Sequence, residues 1–207
     1  MKFSSAIGWA VIGMMACNFS AKAVTELDLN YSLEHKSFGQ NQESKAITQT
    51  YYASLAYYFF SSTAIELNGS FDYKKTTTTL PDPLIVNESS FLYGSINKLK
   101  TWSYGAGIRQ ALASPAARIR PLIGFGWARQ KQSDQNFYLL DLGTGTDQVA
   151  GLNYKHEQDM AYVLAALRIA LSSRIALKFS AVGTFKPFKW KEISRDIRYL
   201  GGIMIIF

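Results

Sequence analysis

Charged side chains recur in this chain at every second position. Glu26, Asp28 and Glu34 alternate with Leu27, Leu29, Tyr31 and Leu33, and Glu66 and Asp72 alternate with Ile65, Leu67, Phe71 and Tyr73. Single cations follow in stretches of the same rhythm: Arg109, Arg118, Arg120, Arg168, Lys178 and Arg198. A period of two puts each set on one face of a β-strand. The chemistry open to early carboxylates and late guanidinium groups is ion pairing, because a guanidinium fork holds a carboxylate by two bonds at once. Charges taken out of water must be paired. We therefore expect Glu26, Asp28, Glu34, Glu66 and Asp72 to meet Arg109, Arg120, Arg168, Lys178 and Arg198 in an enclosed polar network. Any of them near a strand end would instead be hydrated.

Other chemistry finds little material. A hydrolase or acyltransferase needs a nucleophile, a base within reach and an orienting carboxylate, and the chain has two histidines. His35 falls on the apolar parity at the end of its stretch and reads as an interface residue. His156 lies in His156-Glu157-Gln158-Asp159. Asp134, Asp141 and Asp147 lack the dense carboxylate spacing of a calcium loop. Gly143-Thr144-Gly145-Thr146 lacks the lysine of a phosphate loop and reads as a hairpin tip. No catalytic residue, metal or cofactor is expected.

The elements that must position these charges are strands. Alternation marks eight of them, at 26–36, 48–60, 64–74, 101–112, 118–130, 159–171, 174–186 and 197–207. The breaks between them run long, short, long, short, long, short, medium. Residues 75–100 and 131–158 read as long and irregular connections, with Phe91 to Ile96 open to extending the next strand above the membrane in a register the alternation does not set, whereas 61–63, 113–117 and 172–173 read as tight turns. Strands near ten residues match a tilted membrane crossing of ~9–11 residues. The fold expected is all-β: a closed antiparallel up-and-down barrel of eight strands, spanning a membrane, with tight turns at one rim and long loops at the other.

Residues 1–23 read as a cleaved export signal, with Lys2, an apolar core at 6–16 and Ala21-Lys22-Ala23 before the cut. The barrel domain would then be 24–207. A rival processing site is Cys17, which would be lipidated. Removing 1–23 takes away Lys2 and Lys22 and no acid, leaving a net charge of +5 from the +7 of the full 207 residues. Those cations are scattered singly without a basic run, which argues against nucleic acid as a partner.

Alternation alone does not say which face is outside, but residue size does. The polar face mixes single charges with Gly105, Gly107, Gly124, Gly126, Ser54 and Ser180. Small beside long suits the narrow bore of an eight-stranded barrel. The other face is bulky, and Tyr57, Phe59, Trp102, Trp127, Phe185 and Phe207 are expected to form aromatic girdles at the two membrane boundaries. Leu200, Met204 and Ile206 fit this scheme badly, since their parity is inward. Arg129 falls on the outward face, where it would have to lie near the long-loop rim and snorkel into headgroups. Pro121 removes a ladder hydrogen bond, tolerable close to a turn.

Tyr104-Gly105-Ala106-Gly107-Ile108-Arg109, a short turn, then Ile119-Arg120-Pro121-Leu122-Ile123-Gly124-Phe125-Gly126 resembles the small outer-membrane β-barrel "porin family" of Gram-negative bacteria, with its OmpA- and OmpX-like barrels. The resemblance implies a monomer in the outer membrane, in contact with its lipid and lipopolysaccharide. It implies that Phe207 at the end of the last strand is read by the barrel-assembly machinery. With the chain ending at Phe207, no periplasmic peptidoglycan-binding domain is expected to follow. It also implies a lumen without a wide pore and a structural or surface-interaction role for the long loops. A narrow channel for small or apolar solutes, as in OmpW-like barrels, is the alternative. Some eight-stranded barrels modify lipid A, but the His-x-Ser-Asn pattern of the deacylases is missing. So is the helix that precedes the palmitoyltransferase barrel.

Overall fold

The computed structural model describes residues 24–39, 43–87, 90–141, 146–187 and 197–207. The expected export signal, Cys17, the Gly143–Gly145 tip and most of the connection after Pro187 lie outside the described residues. Eight strands form the barrel: β1 (Val24–Phe38), β2 (Ser44–Tyr58), β3 (Thr63–Asn87), β4 (Ser90–Ala111), β5 (Ile119–Asp141), β6 (Thr146–Ala170), β7 (Ile175–Phe185) and β8 (Ile197–Ile206). Each pairs antiparallel with its neighbour, and β8 closes on β1 from Glu26↔Ile206 to Tyr31↔Gly201. Closure gives every strand of the barrel a partner on both sides, which is what a strand needs where no water can reach its backbone.

The register also sets the tilt. Following cross-strand partners from Lys131 on β5 leads through Trp102, Phe71, Tyr51, Tyr31, Gly201, Phe179 and Leu167. It returns to β5 at Pro121, ten residues from where it left. A stagger of that size goes with strands inclined by roughly 40° to the barrel axis.

The faces sort as their residue sizes imply. Outward positions such as Leu29, Leu67, Ile108, Phe125, Ile175 and Ile203 are exposed, while Glu26, Asp28, Glu66, Arg109 and Lys178 are fully enclosed. Such an apolar outer wall has no protein to cover it and needs hydrocarbon. Leu200 and Met204, misfits on sequence grounds, are buried in the bore. Met204 joins Ala56, Tyr58, Ala64, Ala111, Leu122 and Ala176 toward the tight turns. Leu200 packs with Tyr52, Leu164 and Val182 further along the bore. The lumen is thus part polar and part apolar.

Two expected loops are corrected. Residues 75–100 and 131–158 are mostly strand: β3 and β6 have 25 residues each, β5 has 23 and β4 has 22. Beyond the membrane both faces meet water, so apolar alternation fades and periodicity no longer marks the strand. The Thr76–Thr79 run, β-branched throughout, sits where β propensity favours it. The extensions form a four-stranded blade standing on the barrel rim. β2 pairs β3 only as far as Thr78, and β7 joins β6 only from Ala161. Among the described residues, each side of the blade therefore has no strand beside it. On the β3 edge Pro81 and Pro83 offer no N–H, and the register shifts between Thr79 and Leu84, devices that blunt strand-to-strand association.

The girdle is also revised. Trp102, Trp127, Phe59 and Phe207 are exposed outward and Tyr57 is half-buried. Phe185 is 2% exposed and belongs to no girdle. The β7–β8 ladder is described from Ile175↔Ile205 to Gly183↔Ile197, and along the end of β7 the alternation gives way to Val182 to Phe185 buried in succession. Tyr31, Tyr51, Phe71 and Trp102 make a continuous aromatic row instead, with ring centroids 5.1, 6.4 and 4.4 Å apart.

Candidate functional site

Cross-strand register builds the site. Arg120, Arg168 and Lys178 are consecutive partners on β5, β6 and β7. Like charges placed so close oppose folding unless anions face them. Glu26 and Asp28 on β1 supply those anions across the bore. Arg168 Nη1 lies 3.0 Å from Glu26 Oε1, and Lys178 Nζ lies 2.5 Å from Asp28 Oδ2.

Arg109 on β4 ties the cluster together. Its Nε donates to Glu66 Oε2 at 2.8 Å, and its Nη2 donates to Asp28 Oδ2 at 2.6 Å and to Ser54 Oγ at 2.9 Å. Its Nη1 lies 3.4 Å from Glu26 Oε2. One planar fork thus spans three carboxylates from two strands, which a lysine ammonium could not do in a fixed geometry. Hydroxyls from β2 also donate to these carboxylates, while Asp28 Oδ1 is left without a partner among the described residues. Tyr52 donates to Glu66 at 2.6 Å, Tyr58 to Glu26 at 3.0 Å and Ser54 to Asp28 at 2.9 Å.

The residues expected in one network therefore divide. Glu26, Asp28, Glu66, Arg109, Arg168 and Lys178 come together. Arg120 stands at the margin, 3.9 Å from Glu26, and donates to the carbonyls of Ala113 and Ser61 in the tight turns. Asp72 and Arg198 form a separate pair at 2.7 Å, partly open to a polar cavity of about 260 Å³ in the long-strand mouth. Glu34 does not join them: it is exposed and pairs with Lys36 at 2.7 Å, because its strand has by then risen to the rim. The tyrosines Tyr52 and Tyr58 were not singled out as site residues, although hydroxyl-bearing rings on the polar parity of β2 were their signal.

Glycines make room for the bore contents. Gly107 and Gly126 are direct partners on β4 and β5, and the Tyr162 ring lies over both. A Cβ at Gly107 would run into the Tyr162 hydroxyl and the Phe125 carbonyl oxygen.

Outside the apolar band, Arg129 donates to Glu157 at 3.1 Å and Lys131 lies 3.0 Å from the same carboxylate. Hydrogen bonds from Lys131 and then Arg129 hold the Glu157 carboxyl below its ordinary range. Arg129 thus meets an acid at the rim rather than reaching alone for headgroups. His35 and His156 are exposed, on β1 and β6, with Ile47 and Gln132 as their strand partners. Among the described residues no group of three His, Cys, Asp or Glu side chains is placed to hold a metal ion.

No protein-family model matches the chain, and no curated protein matches it in sequence. Solved structures do match in shape. The outer membrane protein OprG from Pseudomonas aeruginosa is 10% identical, with a TM-score of 0.51 over 89% of this chain and 95% of that one. The N-terminal β-barrel domain of P. aeruginosa OprF is 12% identical, with a TM-score of 0.48 over 89% of this chain and 97% of that one. Neisserial surface protein A is 13% identical, with a TM-score of 0.43 over 89% and 94%. The OprG likeness is one of fold: a closed antiparallel barrel of the outer-membrane type. The apolar outer wall around an enclosed ionic core is the sidedness of such a barrel in its bilayer.

Proposed function

We propose that this protein is a non-catalytic outer-membrane barrel with a closed bore, which carries a β-blade outside the cell as a binding surface. The observation that supports the reading is the continuation of β3 to β6 as 22- to 25-residue strands, about twice what a crossing needs. The blade bears exposed apolar side chains, among them Leu84, Ile85, Tyr138, Leu152 and Tyr154. Apolar groups left in water along a stiff sheet suit a protein partner better than they suit solvent. Closure of the bore is supported by the Arg109 cluster, whose ion pairs bridge β1 to β4, β6 and β7 and β4 to β3, and are flanked by apolar layers.

Two measurements test this. In planar bilayers the purified protein should show no steady conducting level. A reproducible open level would replace the closed bore with a narrow solute channel. On intact cells trypsin should cut at the exposed Lys155 of the blade and spare Arg174 in the tight turn; the reverse would put the blade on the wrong side.

A further inference from the structure

The enclosed charges of the bore do not balance. Among the described residues the buried charged side chains are Glu26, Asp28 and Glu66 against Arg109, Arg120, Arg168 and Lys178. Three acids face four bases, one positive charge in excess. Asp28 serves Lys178 and Arg109, and Glu66 serves Arg109. Glu26 is left to answer three guanidinium groups: Arg168 at 3.0 Å, Arg109 at 3.4 Å and Arg120 at 3.9 Å. The excess therefore falls on Arg120 and Arg168, direct cross-strand partners beside the tight turns.

What else these two touch is neutral. Arg120 donates to the carbonyls of Ala113 and Ser61 and lies over the Tyr58 ring, 5.1 Å from its centroid. Arg168 donates to the carbonyl of Pro115. Such contacts ease the burial of a guanidinium but cancel no charge. Arg168 Nε is enclosed and has no partner among the described residues. No acid occurs in the tight turns at 59–62, 112–118 and 171–174, nor in residues 1–23. A buried charge needs a counter-charge, and here it must come from outside the chain.

Both guanidinium groups line a cavity of about 560 Å³ at the tight-turn mouth, within the ~300–1,000 Å³ of small-molecule sites. Its other walls are largely apolar, with Val24, Phe60, Pro115, Ala117, Ala170 and Ile206. Glu26 and Arg109, both fully enclosed, fill the bore behind the two forks, so the pocket is blind. In barrels of this kind the tight turns face the periplasm, and the pocket opens there, at the opposite end from the blade.

We propose that Arg120 and Arg168 form a binding site, entered from the periplasm, for a small monocarboxylate with an apolar body. The carboxylate bridges the free N–H groups of the two forks, Arg168 Nε–H among them, and the body lies against Pro115, Ala170 and Ile206. A carboxylate matches a guanidinium fork oxygen by oxygen. It also brings one negative charge, which is the excess to be met, whereas a phosphate monoester brings about −1.5 to −2. The site is independent of whatever the blade binds.

The test uses the full-length mature protein in phosphatidylcholine nanodiscs, with isotope-labelled arginine and the side-chain Nε–H signals of Arg120 and Arg168 followed by NMR. The probes are hexanoate, its neutral counterpart hexanamide, and acetate. Hexanoate should shift both signals saturably, one molecule per barrel. Hexanamide lacks the charge and acetate lacks the apolar body, so each should bind at least about tenfold more weakly. Arg120→Gln leaves equal numbers of enclosed acids and bases, so the barrel should fold, as unboiled gel mobility reports, while hexanoate binding falls at least about tenfold. Ala170→Leu should weaken hexanoate with both arginines in place. Signals indifferent to hexanoate would overturn the site and leave the excess charge to be shed by loss of a proton from Lys178. Hexanamide or acetate bound as tightly as hexanoate would overturn it too, as would undiminished affinity in Arg120→Gln. None of these outcomes bears on the blade, whose test is the trypsin cut.

Discussion

Arg109 and Asp28 stand on strands that are not neighbours, β4 and β1, yet their side chains meet inside the barrel at 2.6 Å with both fully enclosed. No ladder forces that meeting; the narrow bore does. Replacing Arg109 by Leu leaves Asp28 and Glu66 enclosed without their shared partner. Removing one side of a buried pair costs about 3–5 kcal/mol, and we expect a loss of that order in urea unfolding followed by unboiled gel mobility. Arg109→Lys should recover less than half of it, because one ammonium cannot span Glu66 and Asp28 together. A loss under about 1 kcal/mol in Arg109→Leu would mean that the cluster is hydrated and holds nothing.

Gly107 is a position where side-chain size is limited by the bore rather than by lipid. Gly107→Val should destabilise by about 1–3 kcal/mol, as overpacking does, because the new atoms meet the Tyr162 ring and the neighbouring backbone. Adding Tyr162→Ala should return part of the loss. Gly69→Ala, on the outward face with room beside it, should be neutral within about 0.5 kcal/mol. The same unfolding assay decides: equal effects at 107 and 69 would contradict the sidedness.

Glu157 gives a pH signature outside the membrane. Lys131 and Arg129 hold its carboxyl below the ordinary glutamate range. A depressed carboxyl contributes its stabilisation above the unfolded-state pKa and loses it as pH falls through the lower folded one. Opening of the blade near Arg129, followed by hydrogen exchange, should therefore increase only below about pH 4. Lys131→Ala should move the Glu157 titration back toward the ordinary value, and high salt should do the same. A Glu157 midpoint indifferent to both changes would remove the ion pair from the account.

Much of this architecture was legible before any coordinates. Tyr51, Leu67 and Ile108 declared the outer face and Glu26, Glu66 and Arg109 the inner one, because a membrane makes the two faces of a strand chemically opposite. The blade was not legible for the converse reason. Where residues such as Thr76 or Gln135 have water on both sides, nothing in their order separates strand from loop. Phe185 misled because burial stops alternating at the end of β7, where Val182 to Phe185 are enclosed in succession and parity no longer tells the faces apart. Glu34 misled because parity tells inward from outward but says nothing about depth. The tyrosines of β2 could have been anticipated, since a buried carboxylate has more lone pairs than one guanidinium can fill.

The central claim is that bulky rings face hydrocarbon while charges face the axis. Quenching of tryptophan emission by lipids brominated along their acyl chains tests it most directly, in a Trp190→Phe variant of the mature protein that leaves Trp102 and Trp127 as reporters. The account predicts strong quenching of both, with the depth dependence of residues near a membrane boundary. Emission untouched by the brominated chains, with both indoles shielded inside the protein, would contradict it.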